Sequence, residues 1–376
     1  MSISEKIRNN KFVKVLAALE PIGVAVGLIG LGIAGYAFFQ DLESRKEERI
    51  ARAWDLLSIQ IPGNSGKSDA LRILHGYEIN LSDVDLSCGF LGGTLQDKGY
   101  TVSHIAITDD QSEFVRSPCV GSPRLNNLEL GEIAPSWRNL WSGQQPLIAE
   151  NINLEGISGE DLDLSGASIG GGNFSYTNIV GLDLNNAIAL DLSAEYSNLD
   201  HSDFSFAELS GADFSRAGLS HSKFEGATAV CADFAGANLE AVDLQSVEDF
   251  EGSSLFMARL ENSKISNDIA LDNDLSFANV SGAHFAGNVA PRENLFGPMW
   301  AWSDNPPKPA GVAQKMGVRL CEPSKEDVHD DRETYLLSFG TFRPINWELV
   351  PQHCGLAPEF NSDEYLALAA PTVCVE

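Results

Sequence analysis

The chain has 376 residues and a formal charge of −28, from 53 Asp and Glu against 25 Lys and Arg. That balance excludes direct nucleic-acid binding, which needs clustered cations, and suits a self-repelling surface, a basic partner or an imitation of nucleic acid. Hydrophobic residues make up 43% of the chain, too many for global disorder, and the length allows a sizeable core.

The N-terminus is basic, with Lys6, Arg8, Lys11 and Lys14 before an apolar run from Val15 to Phe39. From Pro21 to Phe39 there is no charge, and the run is near the ~20 residues a spanning helix needs. Glu20 stands near one edge, and Tyr36, Phe38 and Phe39 mark the other interface. A cleaved signal peptide is the rival reading, but the run exceeds its usual apolar core and the helical pattern continues into QDLESRKEERIARAWDLL. The expectation is one uncleaved transmembrane helix. Gly23, Gly27, Gly30 and Ala34 form a stripe of small residues on it, a candidate packing face for self-association. Arg45, Lys46, Arg49 and Arg52 come after the span, so positive charge flanks both ends. The orientation expected is N-terminus inside, with the body on the extracytoplasmic side.

Beyond the span, ESRKEERIARAWDLLS places Ile50, Trp54 and Leu57 along one helical face. Next comes IPGNSGKS, Ile61 to Ser68, which looks like a phosphate-binding loop. The spacing excludes it: counted back from Gly66, the required first glycine falls on Ile61, and Gly63 is out of place. Such a loop also succeeds a buried parallel strand, whereas a charged helix precedes this one. The stretch reads as a hinge in which Pro62-Gly63 ends one helix and Asn64 or Ser65 caps the next. That second helix carries Leu71, Ile73 and Leu74 towards the repeats that begin just after it.

From about Asn151 the chain repeats every five residues, as in SDFSF, AELSG, ADFSR, AGLSH. A small residue is followed by Asp or Asn, then Leu or Phe, then two mostly polar residues. The central Leu, Ile or Phe runs from Leu154 to Leu244, slips by one residue, and resumes from Phe250 to Phe285. Gly159, Ala189, Ala194, Ala229 and Ala270 depart from it. The period matches neither helix nor simple strand alternation. It shows earlier in INLSDVDLSCGFLGG, with Leu81, Leu86 and Leu91 central and Ile79 and Val84 two places before. Between them lies a segment containing TVSHIAIT, which alternates like a strand, and PSWRNLW, a short helix.

These repeats resemble the pentapeptide-repeat proteins over roughly 135 residues. The resemblance implies a mainly β fold, a right-handed quadrilateral β-helix with four pentapeptides per turn. The central residue fills the axis beside a small one two places earlier, as at Ala207, Ala212, Ala217, Ala227, Ala232 and Ala237. The 27 pentapeptides counted in the two runs then give nearly seven turns and a rod on the order of 30 Å. The order of span, charged helix, hinge and repeats is similar to bacterial membrane-anchored members of the family. The expected organisation is 1–40 basic start and transmembrane helix, 41–77 juxtamembrane helices and hinge, and 78–96 first coils. An insertion at 97–150, the main solenoid at 151–290 and a loop-rich C-terminal cap at 291–376 complete it.

Residues twenty apart should stack on one side of such a coil. One side then carries Asp163, Asp183, Asp203, Lys223 and Asp243, another Asn178, Asn198 and Asn238, and a third Asp213 and Asp233. Between Asn151 and Ala290 there are 22 acidic residues against four basic ones, Arg216, Lys223, Arg259 and Lys264. The Asp residues are the candidate interaction face, and as an exposed ladder they should titrate normally. His201 and His221 also stack in this register and read as two solvated histidines at a corner. No catalytic constellation, cofactor or metal site is predicted. Trp300 and Trp302, before Pro306-Pro307, suggest an aromatic plug over the open end. Cys88, Cys119, Cys231, Cys321, Cys354 and Cys374 include no CxxC pair, so a zinc ribbon is excluded. Disulfides outside the cytoplasm and reduced thiols inside it both fit.

The function expected is a non-enzymatic, membrane-tethered scaffold or protein-interaction module in the bacterial inner membrane. Its partner is an unknown protein, for which basic charge is the natural complement, and no small-molecule substrate is evident. The alternative is an acidic decoy, similar to the family members that shield gyrase by imitating DNA.

Overall fold

The five-residue rhythm closes into a four-sided coil whose successive turns are joined by parallel backbone bridges. A computed structural model of the chain describes residues 11–58, 66–87, 94–95, 119–120, 128, 130, 147–286 and 299–322. Two compact units divide it, Met1–Asp55 and Leu56–Glu376.

The first unit is carried by helix α1, Lys11–Ser58, continuous over 48 residues. Exposed ion pairs one turn apart, Arg45 with Asp41 at 2.9 Å and Arg52 with Glu48 at 2.5 Å, line its charged part. Among the described residues no helix is long and apolar enough to cross a membrane. Most of the apolar run falls on residues 11–30 and Gly32, whose side chains lie outside those described; of the small-residue stripe only Ala34 is within them, and it is exposed.

In the second unit, helix α2, Lys67–Gly76, turns Ala70, Leu71 and Leu74 inward, and the Ile79 N–H bonds back to the Leu74 carbonyl as the first coil begins. Its cap is Gly66, at φ 84° with no side-chain cap, rather than Asn64 or Ser65, which lie outside the described residues. A left-handed residue at that place suits glycine, which has no side chain to strain.

From Asn153 up to Asn238, bridged rungs stand twenty residues apart. The Leu, Ile, Val and Phe residues at the central position are buried from Leu154 to Phe285, as are Ala189, Ala194, Ala229 and Ala270 where the pattern departs. Most central carbonyls accept from the N–H three residues later, as in Ala167 to Leu164, and the second residue after the centre usually takes positive φ. Stacked turns place identical residues in register, so Phe204 and Phe224 stack at 4.9 Å and Phe214 and Phe234 at 5.2 Å, with edge contacts at 5.5 and 6.0 Å between the columns. The slot two places before the centre is wider than expected. It holds Ile152, Ile157, Leu162, Leu182 and Leu192 as well as small residues. Ile157 and Leu192 stand two residues from Gly159 and Ala194, so volume is exchanged between neighbouring positions.

The four sides are numbered by their outward residue: side 1 from Ile148, side 2 from Asn153, side 3 from Ser158 and side 4 from Asp163. The first coil lies under the second, with Asp85 bridged to Asn153. These are 68 residues apart, so the segment between adds 48 to the normal twenty. Leu128 and Leu130, both buried, return from that segment to pair with Asp163. Strands β1, Thr94–Leu95, and β2, Cys119–Val120, form an antiparallel pair within it; TVSHIAIT and PSWRNLW lie outside the described residues. Ile79 and Val84 are half-buried, because an end coil has a neighbour on one side only.

At the slip, a short 3-10 turn, Leu244–Ser246, absorbs one residue, and Thr228 then pairs with Asp249. Helix α3, Asn267–Asp272, replaces side 1 of a later coil, capped by Ser266, whose hydroxyl accepts from the Ile269 N–H. Strands β3 (Trp300–Trp302) and β4 (Arg319–Cys321) extend side 3 by two rungs. Side 3 therefore runs through nine rungs from Ser158 to Arg319, about 40 Å rather than 30 Å. The two tryptophans do not plug the axis. Strand alternation gives Met299 and Ala301 the inward positions and sets Trp300 in register with outward Asn279. Val312 and Met316, both buried, belong to the closing segment at that end.

Candidate interaction faces

The position before the central residue is outward, and its side chain has a local task. Asp163, Asp183, Asp203 and Asp243 on side 4 each accept, through Oδ1, the N–H two residues ahead, at 2.9 to 3.1 Å. Asp213 and Asp233 on side 2 do the same at 2.8 Å, and so do Asn173, Asn198 and Asn238. These are Asx turns, which mimic a backbone turn and fix each corner. The preference for Asp or Asn at this position is therefore structural first, with the second carboxylate oxygen left for other partners.

Asp163, Asp183, Asp203 and Lys223 occupy consecutive rungs. Lys223 donates to Asp203 at 2.8 Å, and two rungs further Lys264 donates to Asp243 at 2.5 Å. The ladder does not titrate uniformly. Burial, with Asp163 and Asp203 beside it, raises the pKa of Asp183. Burial also pushes Asp203 upward, but the hydrogen bonds from Lys223 and Ser205 outweigh it and bring it below the ordinary range. Asp203 in turn raises Lys223. On side 2, burial lifts Asp233 to about 6, against the Ala235 N–H bond that lowers it and with Asp213 adding to the rise. At Asp183 and Asp233 the expected normal titration fails because the turn draws the carboxyl into the wall and a like charge stands one strand away, and at Asp203 because Lys223 and Ser205 bond the charged form.

Corner side chains stack outside the coil. Tyr176 and Tyr196 lie parallel at 5.3 Å, with the Arg216 guanidinium 4.8 Å from the Tyr196 centroid and 3.3 Å from Glu195. His201 and His221 stack at 5.1 Å on the next corner. Among the described residues no group of three His, Cys, Asp or Glu is placed to hold a metal ion.

A charged cluster on side 3 is not evident in the repeat pattern. Arg259 is bridged to Asn238 and Asn279, and only 2% of it is exposed. Its guanidinium lies 3.0 Å from Glu261 and 3.7 Å from Glu240, while Asn279 donates to Glu261 at 2.8 Å. Burial raises the pKa of Glu261, with Arg259 opposing. The available signal is an Arg in a column of Asn, visible only once the slip is counted. Cys231, at a corner, and Cys321 in β4 are both disulfide-bonded.

Residues 197–245 match the family model described as pentapeptide repeats, in overlapping stretches 197–229 and 207–245. These residues carry pentapeptide repeats, and the coil they belong to is a quadrilateral β-helix. Among curated proteins none matches the sequence. Solved structures similar to it include a pentapeptide repeat protein of the Arabidopsis thaliana thylakoid lumen, at 25% identity over 28% of this chain and 73% of that one, TM-score 0.27. QnrB1, a plasmid-mediated fluoroquinolone resistance protein, is 16% identical over 50% of this chain and 87% of its own, TM-score 0.26. HetL, involved in heterocyst differentiation regulation in the cyanobacterium Nostoc, is 18% identical over 43% and 89%, TM-score 0.17.

Proposed function

We propose that the protein is a non-enzymatic, membrane-tethered scaffold whose β-helix is a rigid display surface for a protein partner. The observation that carries this reading is the ladder itself. Backbone bonds between turns and Asx turns at the corners hold outward side chains at fixed twenty-residue spacing on several chemically different sides. Asp163, Asp183, Asp203 and Asp243 with Asp213 and Asp233 are its acidic contact surfaces, suited to a basic partner. Anchoring rests on the uncharged run from Pro21 to Phe39 and on exposed apolar residues of α1, with Leu31 75% and Phe39 70% exposed. Disulfides at Cys231 and Cys321 favour an oxidising compartment, and hence a body on the extracytoplasmic side of a bacterial inner membrane. Lys67 of the GKS stretch is buried, which lowers its pKa, and the reading assigns it no phosphate.

Crosslinking in native membranes, with identification of the conjugates, tests this. A specific protein adduct that dissolves when Asp203 and Asp213 become Asn is expected; membranes that release the chain at alkaline pH, or nucleotide binding lost in Lys67→Ala, would overturn it. A reporter fused after Glu376 reads the side of the membrane.

A further inference from the structure

Side 1 differs from the other three in a way the coil does not require. At the position before the centre, sides 2 and 4 mostly place Asp or Asn, which accepts the turn N–H, and side 3 has Asn198 and Asn238 in that role. Five consecutive rungs of side 1 carry Ile148, Ser168, Ile188, Glu208 and Thr228 instead. They forgo that bond and expose apolar surface to water, two changes that each disfavour the fold. Ile148 and Ile188 are both 43% exposed and Leu190 39%. Phe206, on the corner where side 4 meets side 1, is 54% exposed, and its ring lies so close to Gly226 that a β-carbon there would approach within 2.5 Å. Apart from Leu320 in the closing strand β4, these four are the exposed large apolar residues of the described coils, and all of them meet on this side or its edge.

Among the described residues the rim has one sign. Glu150, Asp191 and Glu208 surround the apolar centre, whereas the four basic residues of the solenoid, Arg216, Lys223, Arg259 and Lys264, belong to other sides or to the corner of sides 2 and 3. A second copy laid face to face would bring these carboxylates against their own kind. We propose that side 1 is a docking face for a protein segment that presents aliphatic or aromatic side chains between Lys and Arg, an amphipathic basic helix or strand. The proposal rests on the scaffold reading and supplies the chemistry of the partner.

The test uses the full chain in nanodiscs of zwitterionic lipid and a fluorescent amphipathic peptide of Leu and Lys, with empty discs subtracted. Ile188→Glu adds negative charge, so attraction by net charge alone strengthens binding, while docking on side 1 weakens it by about tenfold. Leu190→Ser, which changes no charge, should weaken it in the same direction, and Asp274→Asn, on side 2 of a later coil and outside the acidic contact surfaces, should leave it nearly unchanged. Unaltered circular dichroism checks that each variant folds. Binding that survives Ile188→Glu, or falls equally in Asp274→Asn, overturns the proposal. So does a dimer by sedimentation that Ile188→Glu dissolves, which would make a second copy the occupant. A native-membrane partner crosslinked from a photoreactive residue at Lys223 but not at Ser168 would sink this inference and leave the scaffold reading standing.

Discussion

The coils before the slip and those after it obey one inward rule and differ in their outward residues. From Asn153 to Asn238 the rungs are spaced by twenty and most corner side chains, such as His201, Phe206 and His221, face water. Beyond Asp249, outward positions on sides 2 and 3 are buried: Phe256, Met257, Arg259, Glu261, Phe277 and Asn279. The inward pattern is set by the width of the axis, which every coil shares. The outward pattern answers to whatever surrounds a given coil, so the same five-residue code supports a display surface in one half and an internal polar cluster in the other.

Breaking the regular half at its core should have the largest effect. Phe214 is stacked on Phe234 and set edge-on to Phe204. Phe214→Ala should cost about 4 kcal/mol, because the coil cannot collapse around the void without shifting its ladder. In a solenoid each turn contacts only its neighbours, so hydrogen exchange should lose protection first around residues 194–234. Uniform loss along the whole coil would show that the two halves unfold as one unit.

In the second half the corresponding weak point is electrostatic. Arg259→Ala leaves Glu261 buried beside Glu240, at about 3 kcal/mol. The pKa of Glu261 is already raised by burial, and without the guanidinium it rises further. An acid with a raised folded pKa contributes stability while protonated and loses it as pH rises, so urea denaturation should find a larger penalty at pH 8 than at pH 5. Replacing Arg259 and Glu261 together by Leu should recover most of the loss; a double variant as unstable as the single one would show that the charges matter less than the shape.

Legibility in the sequence divides along the same line. The central residues, the slip near Leu244 and the first coil at Leu81 and Leu86 can all be read, because axis packing forces a fixed period on side-chain size. The Asp ladder is visible as charge, but its turn bonds are not, since spacing alone does not distinguish a solvated carboxylate from one that caps its own corner. Arg259 and Trp300 escape the pattern for another reason. Burial at an outward position depends on contacts remote in sequence, and no local pattern records them. The two rungs at Trp300 and Arg319 carry no five-residue signal, although they continue side 3.

Asp233 offers the finest test, because it lies in the regular half and is nevertheless drawn into the wall. Its pKa stands at about 6, raised by burial from an ordinary 3.8. The neutral form is therefore the one the fold prefers. Its contribution is complete below about 3.8 and is lost as pH rises through about 6. Asp233→Asn removes the titration and keeps the acceptor, since Asn173 and Asn238 make the same turn bond elsewhere. The variant should match the native chain near the acid end of that window and exceed it by about 2 kcal/mol above pH 7. Thermal denaturation across the window checks the sign. A gain of equal size at every pH would mean that Asn merely packs better, and a loss above pH 7 would mean that the second carboxylate oxygen holds a partner the wall depends on.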